Sequence, residues 1–255
     1  MEWVLGVLAG LTIAAVIWAW RPIRNRLERS KPRVAIDHGI VWRVYRTPDE
    51  MTALSPEQLL HTEPDYLVNE NFYLSATAPP DDPKANEAMW QWARRHNGQD
   101  IFVSHVLLIL QATQDRTVVL RPPAVDQQIF ALKAGAVFGP EGLGGNGLLV
   151  RRFYVNLDAG RATAKYIDKS SNEPGSSLFK MVKGDSEAIL VIAETHRDRH
   201  EWKLRLPLQV DGHEVTLTID NDGEPFVTVG PAGLPRWMWV SDERRWMRTP
   251  NHPLR

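Results

Sequence analysis

Apolar residues follow two different rhythms along this chain. Residues 3–20 form one run of 18 with no charge and a single hydroxyl, Thr12. As a helix rising about 1.5 Å per residue, the run spans roughly 27 Å, near the hydrocarbon thickness of a bilayer. Its eight Leu, Ile and Val residues favour insertion by roughly 2–5 kcal/mol, less what Gly6, Gly10 and Thr12 subtract. Far downstream the rhythm has a period of two. Trp202, Leu204, Leu206, Leu208 and Val210 alternate with Lys203, Arg205, Pro207 and Gln209, then Val215, Leu217 and Ile219 alternate with Thr216 and Thr218. With the Asp211-Gly212 turn between them, these runs predict a hairpin with one wet face. Pro207, lacking an N–H, marks its strand as an edge or a bulge.

Between these extremes the pattern predicts short elements. Residues 40–45 read as a strand. Thr47-Pro48-Asp49-Glu50 and Ser55-Pro56-Glu57-Gln58 are capping-box patterns that each open a helical turn. A helix is expected from Asp82-Pro83 to about His96, closed by Asn97-Gly98, with Ala85, Ala88, Met89, Trp92 and Ala93 on one face. After Gly98 the chain turns to β: a long apolar run over 101–112, then strands over 117–120, 148–157, 161–167 and 178–182. Turns are expected at residues 158–160, 184–186, 211–212 and 221–223. The predicted fold is mainly β: an N-terminal transmembrane helix, a short helical segment, then an antiparallel β-sandwich. The divisions are an anchor (1–20), a basic juxtamembrane segment (21–33), a mixed helical and strand region (34–100), a β-sandwich domain (101–230) and a Trp/Arg-rich tail (231–255).

Charge orients the anchor. Arg21, Arg24, Arg26, Arg29, Lys31 and Arg33 against Glu28 give a net of +5 just beyond the helix. Such flanks stay inside, so the expected protein is a single-pass cell-membrane protein with its N-terminus outside and its last 235 residues cytoplasmic. Trp3 at one end and Trp18 and Trp20 at the other sit where aromatic belts lie. A cleavable signal peptide fits less well, because the n-region, Met1-Glu2, is not basic and no small-x-small site follows the core. Gly6, Gly10 and Ala14 make a small-residue stripe, a candidate face for homodimerisation through the anchor. The remaining composition narrows the function. Net charge is −1, which excludes the global basic field of a nucleic-acid binder. Residues 49–100 carry ten acidic residues against three basic ones, and arginine outnumbers lysine 22 to 8, as in a GC-rich bacterial genome.

Candidate chemistry is sparse. The glycine-rich loop of residues 139–147 has no lysine and runs into a strand rather than a helix, so it is not a P-loop. Asp220, Asp222 and Glu224 flank a glycine, but Pro231 stands where a calcium loop needs its glutamate. His196 and His200, with Glu194 and Glu201, read as a polar hairpin turn rather than a zinc site. There is no cysteine. Ser186 lacks the second glycine of a nucleophile elbow. No residue is assigned a catalytic role, and no metal or other cofactor is expected. The tail is different: Trp237, Trp239 and Trp246 stand among Arg244 and Arg245, a composition found at interface hot spots and on anionic bilayers. These five residues form a candidate docking surface.

Four stretches, Arg152-Phe153-Tyr154-Val155-Asn156-Leu157-Asp158, Gly184-Asp185-Ser186-Glu187, Glu201-Trp202 and Ile219-Asp220-Asn221-Asp222-Gly223-Glu224-Pro225-Phe226, mark residues 102–229. This half of the chain resembles the C-terminal part of a group of uncharacterised bacterial single-pass membrane-anchored proteins. The resemblance implies a β-sandwich and an anchor, and no assigned activity. The expected function is a membrane-anchored cytoplasmic binding or scaffolding module whose partners are the lipid bilayer and other membrane or cytosolic proteins, not nucleic acid. The alternative is a ligand sensor or hydrolase with a site near the 139–147 loop.

Overall fold

The computed structural model describes residues 35–37, 39–46, 50, 71–140, 151–159, 164–167 and 178–249. The expected anchor, the basic flank, the two capping-box segments apart from Glu50, and most of the glycine-rich loop lie outside the described residues. No helix among the described residues is long and apolar enough to cross a membrane. Val34–Arg255 group into one compact unit, so the region before residue 100 shares its sheets with the rest.

The described residues form two sheets and one helix. The smaller sheet orders β1 (Ala35–Asp37), β2 (Ile40–Tyr45), β5 (Val103–Ala112), β12 (Ser186–Glu194), β9 (Arg151–Asn156) and β10 (Ala164–Ile167). The larger orders β11 (Leu178–Met181), β6 (Arg116–Leu120), β13 (Arg199–Val210), β15 (Phe226–Val229), β4 (Gln99–Ile101), β3 (Phe72–Leu74), β8 (Ala136–Pro140), β16 (Arg236–Val240) and β17 (Arg245–Thr249). Two further strands, β7 (Ala124–Phe130) and β14 (His213–Ile219), also pair with β13. The expectation of a purely antiparallel sandwich needs correction. β12 with β9, β15 with β4 and β16 with β8 are parallel pairs. Parallel neighbours need long crossovers, and the partners here are far apart in sequence.

The sheets meet face to face over one core. Ile40, Val106, Leu108, Leu110, Phe153, Ile189 and Val191 of the smaller sheet pack against Val118, Leu120, Trp202, Leu204, Leu206, Leu208, Leu217 and Phe226 of the larger. Each such side chain contributes about 1.5–3 kcal/mol by leaving water. The smaller sheet also buries Tyr45, Leu107, Ile109, Ala188 and Leu190 on its other face. A strand apolar on both faces reads as a continuous run, which explains the unbroken apolar stretch Val106–Leu110 within β5.

β13 is the spine of the larger sheet, contrary to the edge or bulge expected from Pro207. On one side it pairs with β14 and then β15, joined by the Asn221–Glu224 turn. On the other it pairs with β6 and then β7. The missing N–H of Pro207 faces the interruption between β6 and β7, at Arg121-Pro122-Pro123, where the Arg121 N–H donates to the Pro207 carbonyl (2.9 Å). A proline is tolerated in a central strand because its partner strand is broken opposite it.

The helix α1 (Met89–Arg95) is shorter than expected at its N-terminal end. Asn86 takes a positive φ of 63° and Glu87 closes a turn on Lys84, so Ala88 becomes the N-cap and its N–H is met by Gln91. The end falls as expected: Asn97 is left-handed (φ 57°) and the Gly98 N–H donates to the Ala93 carbonyl at 2.7 Å. Trp92 and Ala93 of α1 pack with Phe72, Leu74, Ala136 and Phe138 as a second core.

Candidate functional site

Among the described residues, a concavity lies at one end of the sandwich. It is a cleft of about 500 Å³ lined by Ile129, Asp158, His196, Arg197, Asp198 and His200. Its floor is the tight connection from β12 to β13, residues 195–198. β9 runs parallel to β12 with Asn156 opposite Glu194, and the Leu157 N–H donates to the Glu194 carbonyl (2.9 Å). That register carries Asp158 to the turn.

Asp158 organises the turn. One carboxylate oxygen lies 2.7 Å from the Thr195 hydroxyl, and the other accepts the His196 backbone N–H at 2.7 Å. The buried His200 ring reaches the same carboxylate at 3.5 Å through Nε2, which also lies 3.1 Å from the Arg197 carbonyl. His200 Nδ1 is 3.2 Å from Gln127 Oε1, and the Gln127 amide donates to the Leu157 carbonyl (3.2 Å). Burial alone would raise the Asp158 pKa. The His196 N–H, the Thr195 hydroxyl and the nearby imidazoles outweigh it, and the carboxyl is held below its ordinary range. Asp158 is therefore an anion at neutral pH.

Backbone constraints lock the same corner. Phe102 joins β4 of the larger sheet to β5 of the smaller at φ 65°, a costly conformation for a bulky residue. Its N–H donates to the Val229 carbonyl (2.8 Å) and its carbonyl accepts from Thr195 (2.9 Å), so each sheet holds one side of it. The His196 ring stands edge-on to the Phe102 ring at 4.9 Å. Gly230 donates to the Asp198 carbonyl at 2.7 Å, and a Cβ there would fall 2.3 Å from the Arg197 nitrogen. Only glycine fits this approach.

The residues singled out in the sequence are distributed unevenly. His196 and His200 both line the cleft with Asp158, His200 through its ring and His196 through its backbone N–H, while the His196 ring turns to Phe102 and Glu194 (3.5 Å). No group of three or more potential ligands among the described residues could hold a metal. At the Asp220–Glu224 turn the cation is a side chain: Lys203 Nζ lies 3.3 Å from Asp220 and also donates to the Gly223 carbonyl. The tail folds back as the β16–β17 hairpin. The Trp237 and Trp246 indoles donate to the carbonyls of Thr77 and Asp81 (both 3.1 Å), and the Trp246 ring packs on Trp92 (4.9 Å), Trp239 (5.4 Å) and Phe138 (5.6 Å). Arg244 and Arg245 are exposed at its tip, Arg245 paired with Glu243. The anchor residues Trp3, Gly6, Gly10, Ala14, Trp18, Trp20, Arg21, Arg24 and Arg26 lie outside the described residues.

Sequence reasoning missed two parts of the cleft. Asp158 ends the motif Arg152–Asp158 but gave no sign of a partner 38 residues away. β7 was not expected as a strand. Its one signal was Val125 and Ile129 two alternations apart, directly after the Pro122-Pro123 break.

No protein-family model matches the chain, and no curated protein matches it significantly.

Proposed function

We propose that the chain is a membrane-anchored binding module, held by the helix of residues 3–20 with its sandwich on the cytoplasmic side. A partner protein docks at the β12–β13 end of that sandwich. The observation that carries this reading is the combination found there: a preformed cleft, an anionic Asp158 held by Thr195, His196 and His200, and Ile129, whose apolar side chain is 55% exposed beside it. A rigid polar constellation next to exposed apolar surface is the composition of a docking site. Anchoring confines module and partner to two dimensions, which makes a modest contact effective.

Two experiments test the two halves of this reading. A photoreactive residue at Arg197 in the full chain, in its own membranes, captures a partner as a discrete adduct, and the added substitution Ile129→Lys abolishes that adduct. No adduct beyond that from Lys183, exposed at the opposite end of the sandwich, would overturn the docking site. For orientation, Ser186→Cys is labelled by an impermeant maleimide only after lysis. Labelling in intact cells would place the sandwich outside.

A further inference from the structure

β7 carries an unusual load for a surface strand. Ile129 (55% exposed) and Phe130 (39%) are two of the three large hydrophobic side chains exposed among the described residues. The strand pairs only with β13 among the described residues, and none of its seven residues is fully buried. Natural edge strands are blunted by charged side chains, above all lysine, by proline or by a bulge; β7 carries one charge, Asp126, which is paired with Arg205 of the neighbouring strand. β7 has no lysine or proline within it and continues in register with β13 from Ala124 to Phe130.

We propose that β7 pairs antiparallel with β7 of a second copy of this chain, about a two-fold axis at Gln127, so that the larger sheet continues across the axis. The sequence of the strand selects this partner and this register. With the axis at Gln127, Val125 faces Ile129 of the other copy on one side of the sheet, and Gln127 faces itself. On the other side Ala124 faces Phe130, and Asp126, the only charged residue of the strand, faces the Gln128 amide. Moving the axis to Asp126 sets two carboxylates opposite each other, which is destabilising. Moving it to Gln128 sets Asp126 against Phe130 and Gln127 against Ile129. One register satisfies every pair. The inference goes beyond the docking of a different protein in the cleft: it uses the backbone edge of β7, whereas that docking uses Asp158, the 195–198 turn and the Ile129 side chain, and the cysteine pairs at positions 126 and 128 read only the strand pairing.

The chain has no cysteine, so the pairing is read with two singly substituted full-length chains, Asp126→Cys and Gln128→Cys, carrying different tags. Both are reconstituted in phosphatidylcholine–phosphatidylglycerol vesicles and oxidised. Residues directly opposite lie about 4.5–5.5 Å apart at Cα, within disulfide reach, whereas a residue and its own copy two steps off register lie about 7–8 Å apart. The expected result is a mixed Asp126→Cys/Gln128→Cys dimer formed roughly ten-fold more efficiently than either homodimer. Equal yields in all three combinations, no mixed dimer, or an equal yield from Thr216→Cys on β14 would each overturn the pairing. The photoadduct at Arg197 reads the other proposal, so the failure of one leaves the other standing.

Discussion

β14 and β7 flank the same strand and have opposite characters. β14 buries Val215, Leu217 and Ile219 and exposes Glu214, Thr216 and Thr218. β7 leaves Ile129 exposed and Phe130 partly so, its ring under the Arg199 guanidinium at 5.3 Å, and buries nothing completely. The register explains the difference. β14 lies against Leu204–Val210, over the centre of the core. β7 lies against Arg199–Arg205, so its inward side chains step from Val125 at the rim of the core, to Gln127 committed to His200 and Leu157, to Ile129 at the cleft. Alternation records burial only where a second layer lies beneath the strand. Where the layer ends, an apolar residue marks a contact still to be made.

Stability measurements break or sharpen this contrast. Leu217→Ala on β14 should cost about 2–5 kcal/mol by urea denaturation of the full chain, while Ile129→Ala on β7 should stay within about 0.5 kcal/mol. Comparable losses would mean that β7 is already covered within one chain. The next effect belongs to the cleft. Asp158→Asn weakens the support of the Thr195 hydroxyl and the His196 N–H and should cost about 1–3 kcal/mol. The native Asp158 pKa lies below its unfolded value, so its contribution is present above about pH 4 and is lost as pH falls through the native value. The Asn variant should be less sensitive to acid in that window.

His105 sits on the outer face of the smaller sheet with Nδ1 buried and without a hydrogen-bond partner. Burial lowers its pKa, opposed by nearby Asp100. The folded chain therefore keeps the ring neutral where the unfolded chain protonates it, and stability falls as pH drops below about 6.5. His105→Leu should flatten the pH profile between about 6.5 and the native value and slightly raise stability at neutral pH, because it removes an orphaned polar atom. The smallest effect is at the edge itself. Asp126→Ala removes an exposed pair with Arg205 and should change stability by less than about 0.5 kcal/mol. A larger loss would show that this edge supports the fold rather than a partner.

Much of the fold was legible because its signals are local. The β13–β14 hairpin shows in period-two alternation around Asp211 (φ 49°) and Gly212 (φ 87°), and the end of α1 shows in Asn97-Gly98. β2 falls on residues 40–45 as read. The site was legible only in part. The histidine pair announced a polar turn, and residues 195–198 form one with His196 exposed in it, but His200 is buried in β13. The organising carboxylate arrives through the parallel β9–β12 register, which sequence neighbours do not reveal.

The sequence by itself determined which residues alternate, where the chain turns and which stretches are apolar throughout, because each follows from neighbours within a few positions. Only the tertiary structure decided that Pro207 sits in a central strand, that Asp158 meets His196 and His200, and that Ile129 and Phe130 end in solvent. Those outcomes depend on which strand lies opposite and where the facing sheet stops, and both are set by pairings between residues far apart in the sequence, as distant as Asp100 and Thr228.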